Sequence, residues 1–296
     1  MQRGHPMLKA YLDKSTLRNN VFKLLFLLPI VITLIVFFSE DNDEYSQVGS
    51  ASYAGENANP QCVAGKLDGE SGIVNGESTL EGIKYNIRTP LNYDATIAHP
   101  LLLVFSPAGS NRAKTEKTTA LTLKATTAGF IVAYADHPDL SPTSTIELGT
   151  IPGLIAKQWC VDKERIFLTG HSDGGTAAMA LAFMSGTKHI PKAIAPSAAG
   201  IDYQDLRDHK CPAPIPVMVM HSVNDRLFPK YGQQSSGWWA ACNQCEPIPE
   251  KIANGCMAYS GCAKGVKTWY CEGDKPHAQW PGINDTLLDF LISVGR

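Results

Sequence analysis

The chain has 296 residues, 44% of them hydrophobic, which is enough apolar material for one large core or two small ones. Its 26 Lys and Arg against 28 Asp and Glu leave a formal charge of -2. There is thus no cationic excess of the kind that tracks a phosphate backbone, and nucleic acid is set aside as a partner.

Residues 1–20 form a basic flank carrying Arg3, Lys9, Lys14 and Arg18, followed by LLFLLPIVITLIVFF at residues 24–38. That run fits the apolar region of a secretory signal. It becomes a short membrane span over residues 21–38 when Val21 and Phe22 are counted and Lys23 snorkels. The basic flank should stay cytoplasmic, so both readings place everything after residue 40 on the far side of a membrane. The long basic lead and the lack of an A-x-A pattern after Phe38 favour an uncleaved anchor over a cleaved signal. Residues 39–60 are polar and rich in Ser, Gly and Asn, and read as a tether to a folded domain at residues 61–296. All eight cysteines lie beyond the apolar run. An even count in an exported region points to disulfides, although Cys242, Cys245, Cys256 and Cys262 also have a passable zinc-ligand spacing. Eight cysteines allow 105 pairings, so the connectivity stays open.

The domain then alternates apolar runs with helix-length segments. The runs are HPLLLVFSP (99–107), FIVAYAD (130–136), RIFLTG (165–170), PKAIAPS (191–197), PIPVMVMHS (214–222) and VKTWYCEG (266–273). Near-continuous apolar strands separated by helices predict a mostly parallel α/β sheet covered on both faces. The third run leads into Gly170-His171-Ser172-Asp173-Gly174, a G-x-S-x-G pattern, and then into the small residues GGTAAMA. A serine thrust out at a sharp strand-to-helix turn needs this arrangement, because glycines relieve the backbone crowding and the helix N-terminus faces the site.

A serine hydroxyl is a poor nucleophile unless a histidine takes its proton and a carboxylate fixes that histidine's tautomer. The expected chain order is Ser, then Asp or Glu, then His. Asp225 follows the strong run 214–222, and His277 is the one histidine of eight beyond it. Asp202, Asp205 and Asp274 are rival carboxylates. The expected oxyanion donors are the amides of Asp173, next after the serine, and of Ala108, because Pro107 has no N–H. Of Trp238, Trp239 and Trp280, near the acid and base loops, Trp280 is the candidate for substrate contact. Asn284 lies in an N-x-T sequon and is read as a cap for the last helix.

The segments CVDKERIFLTGHSDGG, PIPVMVMHSVNDRLFP, WWAACNQC, CMAYSGC and PHAQWPG together resemble the extracellular polyhydroxybutyrate depolymerase and feruloyl esterase group. That group is the branch of the α/β-hydrolases that includes carbohydrate esterase family one. The resemblance, over residues 62–294, implies an α/β-hydrolase fold and a secreted carboxylic ester hydrolase with Ser172, Asp225 and His277 as its triad. It also implies that some of Cys245, Cys256, Cys262 and Cys271 pair in a lobe beside the histidine loop. Two departures stand out. Ser106-Pro107 replaces the His-Gly usual in the oxyanion loop, and Asp173 replaces a small or aromatic residue. The expectation is an exported, membrane-tethered serine esterase that acts through an acyl-enzyme on feruloyl or acetyl polysaccharide esters, polyhydroxyalkanoate or short acyl esters. No metal or cofactor is needed. An exported serine peptidase and a non-catalytic binding module on the same fold are the alternatives.

Overall fold

The computed structural model describes residues 46–52 and 62–295. The basic flank and the apolar segment 21–38 lie outside these; among the described residues no helix is long and apolar enough to cross a membrane. Residues 46–52 fall within the stretch read as a tether, yet they are hydrogen-bonded to the domain. Gly49 N–H donates to Thr126 Oγ1 at 2.8 Å, its carbonyl accepts from Leu91, and Ala51 exchanges two bonds with the Asn92 amide.

Ten strands form one sheet in the order β1-β2-β4-β3-β5-β6-β7-β10-β9-β8. They are β1 (Ile73–Ser78), β2 (Lys84–Arg88), β3 (His99–Phe105), β4 (Ile131–Ala135), β5 (Val161–His171), β6 (Ala193–Ser197), β7 (Val217–Ser222), β8 (Glu250–Lys251), β9 (Met257–Tyr259) and β10 (Thr268–Gly273). The six apolar runs become the parallel centre β4-β3-β5-β6-β7-β10, and antiparallel pairs flank it on both sides. The helices are α1 (Arg112–Thr119), α2 (Thr122–Thr127), α3 (Pro142–Leu148), α4 (Ile151–Ile155), α5 (Asp173–Phe183), α6 (Tyr203–Leu206), α7 (Tyr231–Cys242) and α8 (Asn284–Val294).

Strand alternation divides the core between the two faces. Leu101, Leu103 and Phe105 of β3 join Leu168, Met179, Trp238 and Trp239 in one cluster; Leu102 and Val104 join Phe167, Met220 and Phe290 in the other. This is why the central strands read as unbroken apolar runs. Trp238 and Trp239 are therefore core residues.

Four disulfides, Cys62–Cys160, Cys211–Cys242, Cys245–Cys262 and Cys256–Cys271, use all eight cysteines. The cysteines of the zinc pattern are thus distributed over three different bridges, and the pairing is that of an oxidising, extracytoplasmic compartment.

Helix α1 is fixed to the sheet by a buried ion pair. The Arg88 guanidinium on β2 donates to Glu116 Oε1 at 2.7 Å and Oε2 at 2.6 Å, and Thr122 donates to the same carboxylate. Its N-terminus is capped by Asn111, whose side chain accepts from Lys114 N–H at 2.9 Å.

Candidate active site

Every expected site residue lies in or just beyond the loop at the C-terminal end of a parallel strand, the edge where ligands bind open α/β sheets. Ser172 follows β5 and sits at φ 55, ψ -120, a strained conformation for a residue with a Cβ. Its N–H donates to the Ser197 carbonyl at 2.9 Å. The glycines around it answer to close approach: a Cβ on Gly174 would lie 2.1 Å from the Phe105 oxygen, and one on Gly175 2.4 Å from the Ser197 oxygen. Small residues let α5 pack directly on the sheet, with Ala177, Ala178 and Ala182 buried.

The structure brings Ser172, Asp225 and His277 together. His277 Nε2 is 2.9 Å from Ser172 Oγ, and His277 Nδ1 is 2.7 Å from Asp225 Oδ2. The Asp225 carboxylate is fully buried at its side chain. Its other oxygen, Oδ1, accepts from the Leu227 and Phe228 amides at 3.0 and 2.9 Å. Burial pushes the Asp225 carboxyl up, but the hydrogen bonds from His277 and Phe228 outweigh it and hold the group below the usual carboxylate range. His221 closes this side: its Nε2 donates to the Phe228 carbonyl at 2.8 Å and lies 3.5 Å from Asp225 Oδ2. Two of the rival carboxylates have other work. Asp202 and Asp205 form a capping box at α6, and the Asp274 carbonyl accepts from Asn224 Nδ2.

The loop after β3 is braced from behind. Ser106 Oγ donates to the Ala135 carbonyl at 2.6 Å and accepts from Thr115 Oγ1 at 2.7 Å, tying the loop to β4 and α1. Ala108 lines a cleft of about 370 Å³ together with Lys114, Ser172, Leu227, His277 and Trp280. Asp173 opens α5, so its N–H is among those a helix start leaves without an intrahelical partner. The Asp173 carboxylate, whose direction the sequence leaves open, is turned to His137, with Oδ2 2.9 Å from Nε2.

Trp280 forms part of the cleft wall but is 6% exposed, and its Nε1–H donates to Asn284 Oδ1 at 2.8 Å. Asn284 is not the cap expected of it: Ile283 holds that position with no side-chain bond, while the Asn284 amide donates to the Thr119 carbonyl at 2.8 Å. The indole and the carbonyls at the end of α1 compete for this side chain and win it.

Sequence reasoning passed over His171, Ser197 and His137. His171 is buried, with Nδ1 2.9 Å from Ser197 Oγ and Nε2 2.5 Å from the His277 carbonyl. His137 is the partner of Asp173. A histidine next to the serine of the G-x-S-x-G pattern, and polar residues at or just after the ends of apolar strands, are the signals that could have flagged them.

The order of strands, the turn at Ser172 and the placement of the three side chains define an α/β-hydrolase fold. No protein-family model matches the chain. By sequence it is similar to feruloyl esterase D of Neurospora crassa, 22% identical over 244 residues, which are 72% of this chain and 79% of that protein. By structure it is similar to acetyl xylan esterase from Aspergillus awamori, with a TM-score of 0.55 at 15% identity over 75% of this chain and 99% of that one. A thermostable esterase superposes with a TM-score of 0.50 at 17% identity over 75% of this chain; the chain spans 62% of that protein's length, less than two thirds. The chain is thus similar to the feruloyl and carbohydrate esterases among the α/β-hydrolases, as its motifs imply.

Proposed function

We propose that the chain is an exported serine carboxylic ester hydrolase that works through an acyl-enzyme. The relatives by sequence and by structure support an ester hydrolase, and the observation that carries the serine mechanism is the single imidazole bridging Ser172 Oγ and Asp225. Ser172 Oγ attacks the ester carbonyl while His277 Nε2 takes its proton, and the developing oxyanion is held by the amides of Asp173 and Ala108. His277 then returns the proton to the leaving alcohol. Water enters and attacks the acyl carbonyl while losing a proton to His277, and His277 passes that proton to Ser172 Oγ as the acyl–serine bond breaks and the acid leaves. Asp225 keeps the hydrogen on Nδ1 throughout and stabilises the imidazolium.

A cleft of about 370 Å³ suits an acyl group and the first unit of its alcohol. Its apolar wall of Leu227, Ala278 and Trp280 fits feruloyl, short acyl or hydroxyalkanoate esters, including those on polysaccharide. With its carboxylate bound to His137, Asp173 contributes its amide alone to the cleft. The four disulfides support export, and the apolar segment 21–38 would hold the domain at a membrane.

The test is hydrolysis by the full chain of matched feruloyl, acetyl-sugar, hydroxybutyrate and short acyl esters, with peptide amides alongside. Ser172→Ala should lower turnover roughly 10⁶-fold and abolish labelling by a fluorophosphonate. Near-full activity or labelling in that variant would overturn the reading.

A further inference from the structure

His277 occupies the ten-residue segment between β10, which ends at Gly273, and α8, which begins at Asn284. No helix or strand holds its backbone, and the ring alone contacts Ser172 and Asp225. General base catalysis tolerates little of the looseness this suggests, since a misplacement of 1 Å can lower a rate about 100-fold.

The His277 carbonyl, however, meets His171 Nε2 at 2.5 Å. A carbonyl can only accept, so Nε2 carries the hydrogen. Burial holds the His171 imidazole neutral by pushing it below the ordinary histidine value. Its Nδ1 is then an acceptor, and the Ser197 hydroxyl 2.9 Å away supplies the hydrogen. Ser197 lies at the end of β6 and is 1% exposed, and its carbonyl accepts the Ser172 N–H at 2.9 Å.

These contacts close on themselves. Ser172 N–H binds the Ser197 carbonyl, the Ser197 hydroxyl binds His171, His171 binds the His277 carbonyl, and the His277 ring returns to Ser172 Oγ. We propose that Ser197 and His171 are positioning residues, a buried relay that sets the height of the His277 loop from the same strand end that fixes the nucleophile. The proposal rests on the triad reading given above. Ser197 and His171 use one tautomer of His171 throughout, so these two residues fix geometry without themselves moving a proton during turnover.

The experiment is a kinetic double-mutant cycle on the full chain with a short acyl ester. Ser197→Ala removes one oxygen and leaves the cleft lining intact, because Ser197 is not part of it. It should lower kcat about tenfold with KM within about twofold, the size expected for one buried hydrogen bond. His171→Phe should lower kcat about 100-fold, whereas His171→Gln, whose amide can donate to the same carbonyl, should recover to within about threefold of wild type. The double variant Ser197→Ala with His171→Phe should be no slower than His171→Phe alone, because both break one relay. Unchanged kcat in Ser197→Ala, additive losses in the double variant, or failure of the Gln replacement to recover would each overturn the relay. Should His171→Phe fail to fold, Ser197→Ala and His171→Gln carry the test. Loss of the triad reading is a separate outcome, seen as wild-type turnover that survives Ser172→Ala.

Discussion

Asp225→Asn tests the triad most sharply, because the surroundings dictate which way the new amide must turn. Asp225 Oδ1 accepts two backbone amides, from Leu227 and Phe228, at 3.0 and 2.9 Å. An amide NH₂ placed there would face two donors, so the asparagine keeps its oxygen at that position and presents NH₂ where Oδ2 stood. That NH₂ then lies about 2.7 Å from His277 Nδ1, which must accept, and the ring hydrogen moves to Nε2. Ser172 Oγ would meet an N–H instead of a lone pair. The expected loss is roughly 10⁴-fold in kcat, or about 5 kcal/mol of transition-state stabilisation. KM should hardly move, since the Asp225 side chain is fully buried and outside the cleft lining. Thermal stability should also change little, because both amides keep an acceptor. Initial rates against ester concentration, with a thermal scan of the same sample, check all three. An asparagine variant within tenfold of wild-type kcat would refute the assignment of the acid.

Other expectations concern the framework. Glu116→Gln leaves the Arg88 guanidinium buried without a counter-charge, at 3% side-chain exposure, which should cost about 3–5 kcal/mol and lower the melting temperature by roughly 6–20 °C; a melting point within 2 °C of wild type would contradict the pair's role. His99, His171 and His221 are all held below the ordinary value of 6.5, chiefly by burial. The unfolded chain therefore binds protons that the folded chain refuses, and stability should fall as pH drops below about 6.5. Melting at pH 8 and pH 5 measures this, and equal or higher stability at pH 5 would count against it. Replacing both Cys62 and Cys160 by Ser opens a link with a sequence separation of 98 and should remove about 4.7 kcal/mol on the chain-entropy account, read as a lower denaturant midpoint with a slope that is no shallower, since the freed unfolded chain exposes more surface.

What the sequence discloses, and what it conceals, follows from how burial is achieved. The six central strands are buried on both faces by apolar side chains, so apolar runs reveal them. Strand β2 is also buried, but its run is broken by Asn86 and Arg88, and Glu116, 28 residues away, supplies the counter-charge for that arginine. Neighbouring β1 is an edge strand with exposed residues, and β8 and β9 are two and three residues long, too short to show a period. The convergence of Ser172, Asp225 and His277 is legible because a serine–histidine–carboxylate set restricts residue types and the fold restricts their order; His277 stands alone beyond Asp225. The relay through His171 and Ser197 has no such order, and its partners are 26 and 106 residues apart. The direction of Asp173 depended on His137, whose place follows from the exit of β4 and not from any pattern around the serine.

Two of the disulfides, Cys256–Cys271 and Cys245–Cys262, brace the short antiparallel edge against β10, the strand whose exit leads to His277. The elbow at Ser172 relies on glycines, whereas the arm that carries the imidazole follows a strand bridged covalently to its neighbour. A polypeptide still among the reduced thiols of the cytosol would hold its hydroxyl in place and lack a firm base to activate it. The two bridges thus couple the firmness of the base to the redox state of the surroundings.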